Sequence, residues 1–391
     1  MMNIRRYTHH DQEAWDTLVR NARNATFLFF RKYMDYHSER FTDHSLLFYD
    51  SKGNLVSALP ANEVIYGDDG FNDKAEGFAS LSSGRQTKHG IVVPFGARTA
   101  NAGQSRRFRQ LEQRTSNEVR TQFVPFGART ANAGNDNGQG LHMLISHQGL
   151  TYGGLIMHTR LHAEAVEEIF ALIISYMQQN GFAALRYKPL PHIYHAHPSE
   201  EDEYWLWRNG AKFSAVSLST TVNLRHACIA SKRKQTYCNK LAAQGYTVSY
   251  TTPLARFWPL LEANLMSSHG VRPVHTLAEI ELLQSRFPDS IVCATVLSPD
   301  GTIVAGTVLY ITPHVVHTQY ISASEEGKQT NAMDFLMLSL IHRFASEAQH
   351  DYLDFGISTE HGGTILNSSL CMQKEGYGGR STLYKEYVVE V

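Results

Sequence analysis

The stretch YLDFGISTEHGGTILNSSLCMQKEGYGGR, Tyr352 to Arg380, combines features that a core strand does not need. An apolar strand stops at Gly356, runs into hydroxyl and carboxylate side chains, and is followed by a Gly-rich turn around a lone Lys374. A strand tip of this composition suits the floor of a substrate cleft. Upstream, VVHTQYIS carries two groups able to move a proton, His317 and Tyr320. Strict alternation sets His317, Gln319 and Ile321 on one face and Thr318, Tyr320 and Ser322 on the other. The loop ASEEGKQT then leads into a helix from Asn331. The free N–H groups at a helix start, with Gly327 permitting close approach, could hold a phosphate, although Glu325 and Glu326 oppose an anion there.

Several standard chemistries are excluded. The sequence contains no HExxH, no GxSxG and no GxGxxG after a strand. EEGKQT holds a Gly-Lys pair, but Gln329 stands where a phosphate-binding P-loop needs Ser or Thr, which rules out a nucleotide triphosphatase. PHIYHAHP groups His192, His195 and His197; a metal site there needs a further ligand, and no metal is expected. Lys232, Arg233 and Lys234 form either a grip for phosphate or a tRNA backbone, or a solvated helix face. SHQGLTYGGL offers Tyr152 and Gly153 as a substrate wall, with tight sheet packing as the alternative.

The elements that must position these residues fall into two runs of like order. Helical spacing of Trp15, Leu18 and Val19 precedes a hairpin over Leu46–Ile65, and a strand resumes at Leu141. A helix over Ala163–Gly181, a strand from Phe182, a helix from Glu200 and a strand SLSTTVNL complete the first half. The second half opens on the basic helix SKRKQTYCNKLAA and continues through two helices, three strands, the helix NAMDFLMLSLIHRFASEAQ and the strands DYLDFGIS and TLYKEYVVEV. Hairpins mixed with strand-helix-strand crossovers predict an α/β fold with mixed sheets, in two duplicated domains. One segment stands apart: residues 68–139 are rich in Gly, Asn, Ser, Arg and Gln, and contain VPFGARTANAG twice. Its composition predicts a disordered insertion in the first domain. A basic arm reaching nucleic acid through Arg98, Arg106, Arg107, Arg109 and Arg129 is the sharper alternative.

Bulk composition agrees with a chain of this organisation. Lys and Arg (36) balance Asp and Glu (37), so no global field favours DNA or an anionic membrane. The four cysteines form no CxxC pair and read as free thiols, and the start lacks an apolar signal core; a cytoplasmic protein without a membrane span is expected.

Outside the insertion, the chain resembles the GNAT acyltransferase superfamily, and within it the double-domain branch of Fem-type peptidyltransferases and related bacterial acetyltransferases. The resemblance rests on SKRKQTYCNKLAAQGYTV, on HGVRPVHTLAEIELLQSRFPDSIVCATVLSPDGTIVAGTVLY, and on YLDFGIS followed by LCMQKEGYGGR, in that order. It implies two tandem GNAT-like domains, 1–220 and 221–391, the second carrying the main cleft. There the strands VVHTQYIS and YLDFGIS should run parallel and splay apart around the activated carbonyl of the donor. The implied reaction is attack by an amine, with acyl-CoA (acetyl-CoA) as co-substrate. The family's phosphate loop, Arg/Gln-x-x-Gly-x-Gly/Ala, survives here only as Gly327 and Ala332 at altered spacing, which leaves room for aminoacyl-tRNA as donor and a muropeptide amine as acceptor. A catalytically silent binding module is the remaining alternative. The resemblance assigns proton relay to Tyr320 or His317, amine positioning to Asp354, oxyanion or phosphate contact to Lys374 and an acceptor contact to His269. Donor contacts fall to Gly327, Lys328, Gln329, Thr330 and Asn331, and substrate contacts to Tyr152, Gly153, Gly356 and Ser358.

Overall fold

A computed structural model describes residues 2–66, 141–226 and 230–391. The insertion at 68–139 and Cys228 lie outside the described residues. The first half comprises β1 (Asn3–Arg6), α1 (Gln12–Asn21), α2 (Arg31–Met34), β2 (Thr42–Asp43), β3 (Leu46–Tyr49), β4 (Leu55–Leu59), β5 (Asn62–Tyr66), β6 (Leu141–Ile145), β7 (Ile156–Met157), α3 (Ala163–Gln179), β8 (Ala184–Tyr187), α4 (Glu201–Arg208) and β9 (Lys212–Asn223). The second comprises α5 (Lys232–Ala243), β10 (Thr247–Ser249), α6 (Leu254–His269), α7 (Leu277–Arg286), β11 (Ile291–Leu297), β12 (Ile303–Ile311), β13 (Val315–Ala323), α8 (Glu325–Thr330), α9 (Ala332–Glu347), β14 (Tyr352–Ile357), β15 (Thr359–Glu360), β16 (Ile365–Leu366), α10 (Ser368–Glu375) and β17 (Arg380–Glu390).

Each half contains one strand-helix-strand crossover, and each crossover makes a parallel pair of only three residues. In the first half Met143–Ile145 pair with Ala184–Arg186. In the second, Val315–His317 pair with Tyr352–Asp354. The two units meet at the middle of an eleven-stranded sheet, ordered β10-β11-β12-β13-β14-β9-β17-β8-β6-β5-β2. β9 ends the first half yet lies against β14 of the second, and β17 ends the chain yet lies against β8 of the first. The two strands form a long antiparallel ladder with each other, from Arg380↔Thr221 to Val388↔Lys212. The halves have therefore exchanged strands. A smaller sheet, β1-β3-β4-β7, belongs wholly to the first half.

Core packing follows the same pattern. One apolar cluster joins Trp15, Phe29 and Leu47 of the first half to Phe257, Trp258 and Ile291 of the second. A second cluster lies under α9, where Leu336, Leu340, Ile341 and Phe344 cover Val316 and Leu353 of the parallel pair. Trp15 satisfies its indole N–H on Phe29 O at 2.7 Å, so the aromatic core carries no polar cost at that point.

Two local expectations are corrected. The segment after β13 is not a loop: Glu325–Thr330 form α8, started by Ser324, whose Oγ accepts the Gly327 N–H at 3.1 Å. Ser at the cap and two acids in the first turn are favourable helix-start chemistry, which outweighs the glycine. Strict alternation along β13 also fails. Val308 pairs with Tyr320 and Tyr310 with His317, while Gln319 is the extra residue of a bulge. Since Val308 and Tyr310 share a face, the bulge brings His317 and Tyr320 to the same side of the sheet.

Candidate active site

Past His317 and Asp354 the two strands no longer pair, and the gap between them opens onto a cavity of about 130 Å³. His317, Gln319, Tyr320, Gly356 and Tyr384 line it from the second half, and Leu28, Tyr33 and Lys188 from the first. Gly356 terminates regular pairing of β14: its φ is +73°, and the register against β9 shifts between Asp354 and Ile357. Only glycine adopts that backbone without strain, which explains the abrupt strand end seen in the sequence.

Asp354 is fully buried behind this bulge and is surrounded by donors. Its Oδ2 accepts from His317 Nδ1 and from the Tyr384 hydroxyl, each at 2.8 Å. Its Oδ1 accepts from Ser219, from Thr221 at 3.2 Å and from the Gly356 N–H at 3.3 Å. Burial works against the charge, but the bonds from His317, Ser219 and Tyr384 hold the carboxyl below its usual range. An ionised Asp354 keeps a proton on Nδ1 of His317, so Nε2, which has no partner among the described residues, is left as an acceptor on the cavity side. The chain continues from Tyr384 to the Tyr194 hydroxyl, 3.0 Å away, in the first half. Burial raises both phenols well above their ordinary range, so each remains a donor.

The Tyr320 hydroxyl lies 2.6 Å from His275 Nδ1 and accepts the His275 backbone N–H at 3.4 Å. Burial drops His275 to about 4, so the ring is neutral and able to accept. Both residues line the cavity. His275 sits in the turn before α7, inside the segment HGVRPVHTLAEIELL, and Tyr384 lies on a strand whose neighbours are set by the exchange; sequence reading singled out neither residue.

The other anticipated residues lie elsewhere. Lys374 is buried, and its Nζ donates to the carbonyls of Gly356 and Ile357 at 2.8 and 2.7 Å, capping the end of β14 rather than lining the cavity. Burial pulls it down to about 8. Ser358 is buried behind the strand end, its N–H on Leu218 O at 2.7 Å. Tyr152 bonds Thr26 Oγ1 at 3.1 Å, and the Gly153 N–H donates to Lys188 O at 2.8 Å; neither is among the residues that line the cavity. Gly327 is packed so closely on β12 that an added Cβ would lie 1.9 Å from Val304 O. Lys328 pairs with Glu325 at 2.5 Å, Thr330 Oγ1 donates to Glu326 O at 2.8 Å, and Asn331 takes a left-handed turn (φ +61°) between α8 and α9. Neither these residues nor Gln329 are among those that line the cavity. His269 closes α6, but its side chain lies outside the described residues. His195 Nε2 lies 2.9 Å from Leu190 O, and among the described residues no group of three or more His, Cys, Asp or Glu could hold a metal. Lys234 is paired with Asp334 at 2.6 Å. Cys238, Cys293 and Cys371 are free and buried. Among the described residues no helix is long and apolar enough to cross a membrane.

The first half repeats the wedge but fills it. Its last parallel pair, Ile145 and Arg186, takes the place of His317 and Asp354. Beyond it, Ser146 accepts the Lys188 N–H at 2.8 Å and Gly153 donates to Lys188 O, so the loop that follows β6 plugs the gap.

The family model of the acetyltransferase (GNAT) domain matches residues 232–361. The crystal structure of FemX superposes with a TM-score of 0.59 at 9% identity, covering 100% of this chain and 97% of that one. A tandem GNAT protein from the clavulanic acid biosynthesis pathway aligns at 0.45 and 12%, covering 100% and 98%. The L-PGS structure from Bacillus licheniformis aligns at 0.43 and 14%, covering 64% and 77%. No curated protein matches the chain in sequence.

Proposed function

We propose that this chain, in which residues 232–361 match the acetyltransferase (GNAT) domain model and whose fold is similar to that of FemX, transfers an acyl group from acyl-CoA to an amine in the cavity beside His317. The observation that carries this reading is the His317–Asp354 dyad at the point where β13 and β14 part. The amine lone pair forms the new C–N bond at the donor carbonyl carbon. The bond from that carbon to the thioester sulfur breaks, and the leaving sulfur takes the electron pair. The proton shed by the amine passes to Nε2 of His317, whose cation is stabilised by Asp354. Tyr320 and His275 form the adjoining wall.

A second donor is favoured by one observation. The start of α8 is closed by Ser324 and faces Glu325 and Glu326, which disfavours a pyrophosphate there. An aminoacyl-tRNA ester delivers the same carbonyl to the same base without that loop, and a muropeptide amine would then be the acceptor. Thermal shift with acetyl-CoA, CoA and charged tRNA separates the two: stabilisation by the CoA species supports the first donor, and stabilisation by charged tRNA alone replaces it with the second. Silence to every donor overturns the transferase reading.

A further inference from the structure

The first-half end of the cavity holds a cation that proton transfer leaves idle. Lys188 stands two residues beyond the last parallel pair of β8, the position that Gly356 holds on β14. It is 8% exposed and lines the cavity. Its Nζ donates to Leu150 O at 2.8 Å, its one side-chain hydrogen bond among the described residues. The nearby carboxylate of Glu386, which also lines the cavity, accepts from Arg186 at 2.6 Å and from Ser214 at 2.8 Å on its Oε1, and no hydrogen bond joins it to Lys188. An ammonium has three protons to place, and burying it without a full set of acceptors is unfavourable. Burial brings Lys188 down to about 8, against the pull of Glu386, so it is still mostly protonated at neutral pH.

Lys374 shows what a structural lysine looks like in this protein: equally buried, with two carbonyl acceptors and no face on the cavity. Lys188 has half as many acceptors and borders open space. We propose that Lys188 binds a carboxylate on the acceptor, so that the amine acylated here belongs to a small amino-acid-like molecule. This rests on the acyl-transfer reading of the cavity. Base and cation line one cavity of about 130 Å³, so one small molecule carrying both an amino group and a carboxylate can meet both. A single available ammonium suits a monoanionic carboxylate better than a phosphate dianion, which calls for more donors.

The experiment uses the full chain without any donor. Thermal shift is recorded with acetate and propionate, with the matched amides acetamide and propionamide, and with inorganic phosphate, all at constant ionic strength. The carboxylates should raise the melting temperature and the amides should not, a comparison that needs no variant. Lys188→Gln and Lys188→Met should each weaken the carboxylate response by about tenfold or more, whereas His317→Ala should keep it. Equal response to amides, an unchanged response in a folded Lys188 variant, or a larger response to phosphate each overturns the proposal. Carboxylate binding that persists while no donor supports transfer leaves the Lys188 site standing and removes the transferase reading instead.

Discussion

The dyad assigns different consequences to its two members. His317 lines the cavity and donates to the buried Asp354, so His317→Ala should lower kcat by about 10²–10⁴-fold, the usual worth of a general base, and cost about 1–3 kcal/mol of stability for the lost buried bond. Asp354 is buried under at least five hydrogen bonds, so Asp354→Asn should lower both activity and stability. The stability part has a definite pH sign. A carboxyl held below its ordinary value of 3.8 contributes stability that is fully present above that value and is lost as pH falls through the lower folded value. Chemical denaturation of wild type and Asp354→Asn between pH 7 and pH 2 should show the gap closing at the acid end. A gap that stays constant with pH would mean that the bonds around Asp354 do not favour its ionised form.

At the scale of elements, the end of β14 is set by a glycine, a lysine and a short helix. Lys374→Met leaves two buried carbonyls without a donor and should cost about 1–3 kcal/mol, read as a lower denaturation midpoint. Its folded value of about 8 lies below its ordinary 10.5, so the folded state gives up the proton first. The desolvation penalty is full below pH 8 and disappears as pH rises to 10.5, and wild type should gain on Lys374→Met across that window. Gly327→Ala distinguishes packing from donor contact: a Cβ against Val304 O predicts a fall in melting temperature with the donor KM unchanged in whatever folds. These two residues also mark the limits of legibility. The sequence pattern correctly located the strand-helix-strand crossover, because apolar runs and stop signals are local properties. A glycine or lysine beside a strand end reads the same whether it meets a ligand or the backbone, and only the folded neighbours decide. The bulge at Gln319 was equally hidden, since a period-two pattern cannot announce its own interruption. Tyr384 enters the site through a partner strand more than 150 residues away, a pairing that no local pattern encodes.

For the whole molecule, the decisive feature is that both halves share the eleven-stranded sheet. β5 and β6 pair from Tyr66↔Leu141 inward, so the ends of the inserted segment already meet as a hairpin does. Replacing residues 67–140 by Asn-Gly should therefore keep fold and activity, and shortening a loop favours folding by about 0.6 kcal/mol per halving at most. The exchange of β9 and β17 predicts the opposite outcome for a cut between the halves. A cut at 221 leaves only Thr221–Asn223 of β9, so Asp354 loses Ser219 and β17 loses most of its longest ladder. Residues 221–391 alone would also expose the shared aromatic cluster around Phe257 and Tyr310. That fragment should be unfolded or aggregated, and the intact chain should melt in one calorimetric transition whose van't Hoff and calorimetric enthalpies agree. Two resolved transitions, or a folded and donor-binding fragment 221–391, would show that the exchanged strands contribute little and that the dyad is held by the second half alone.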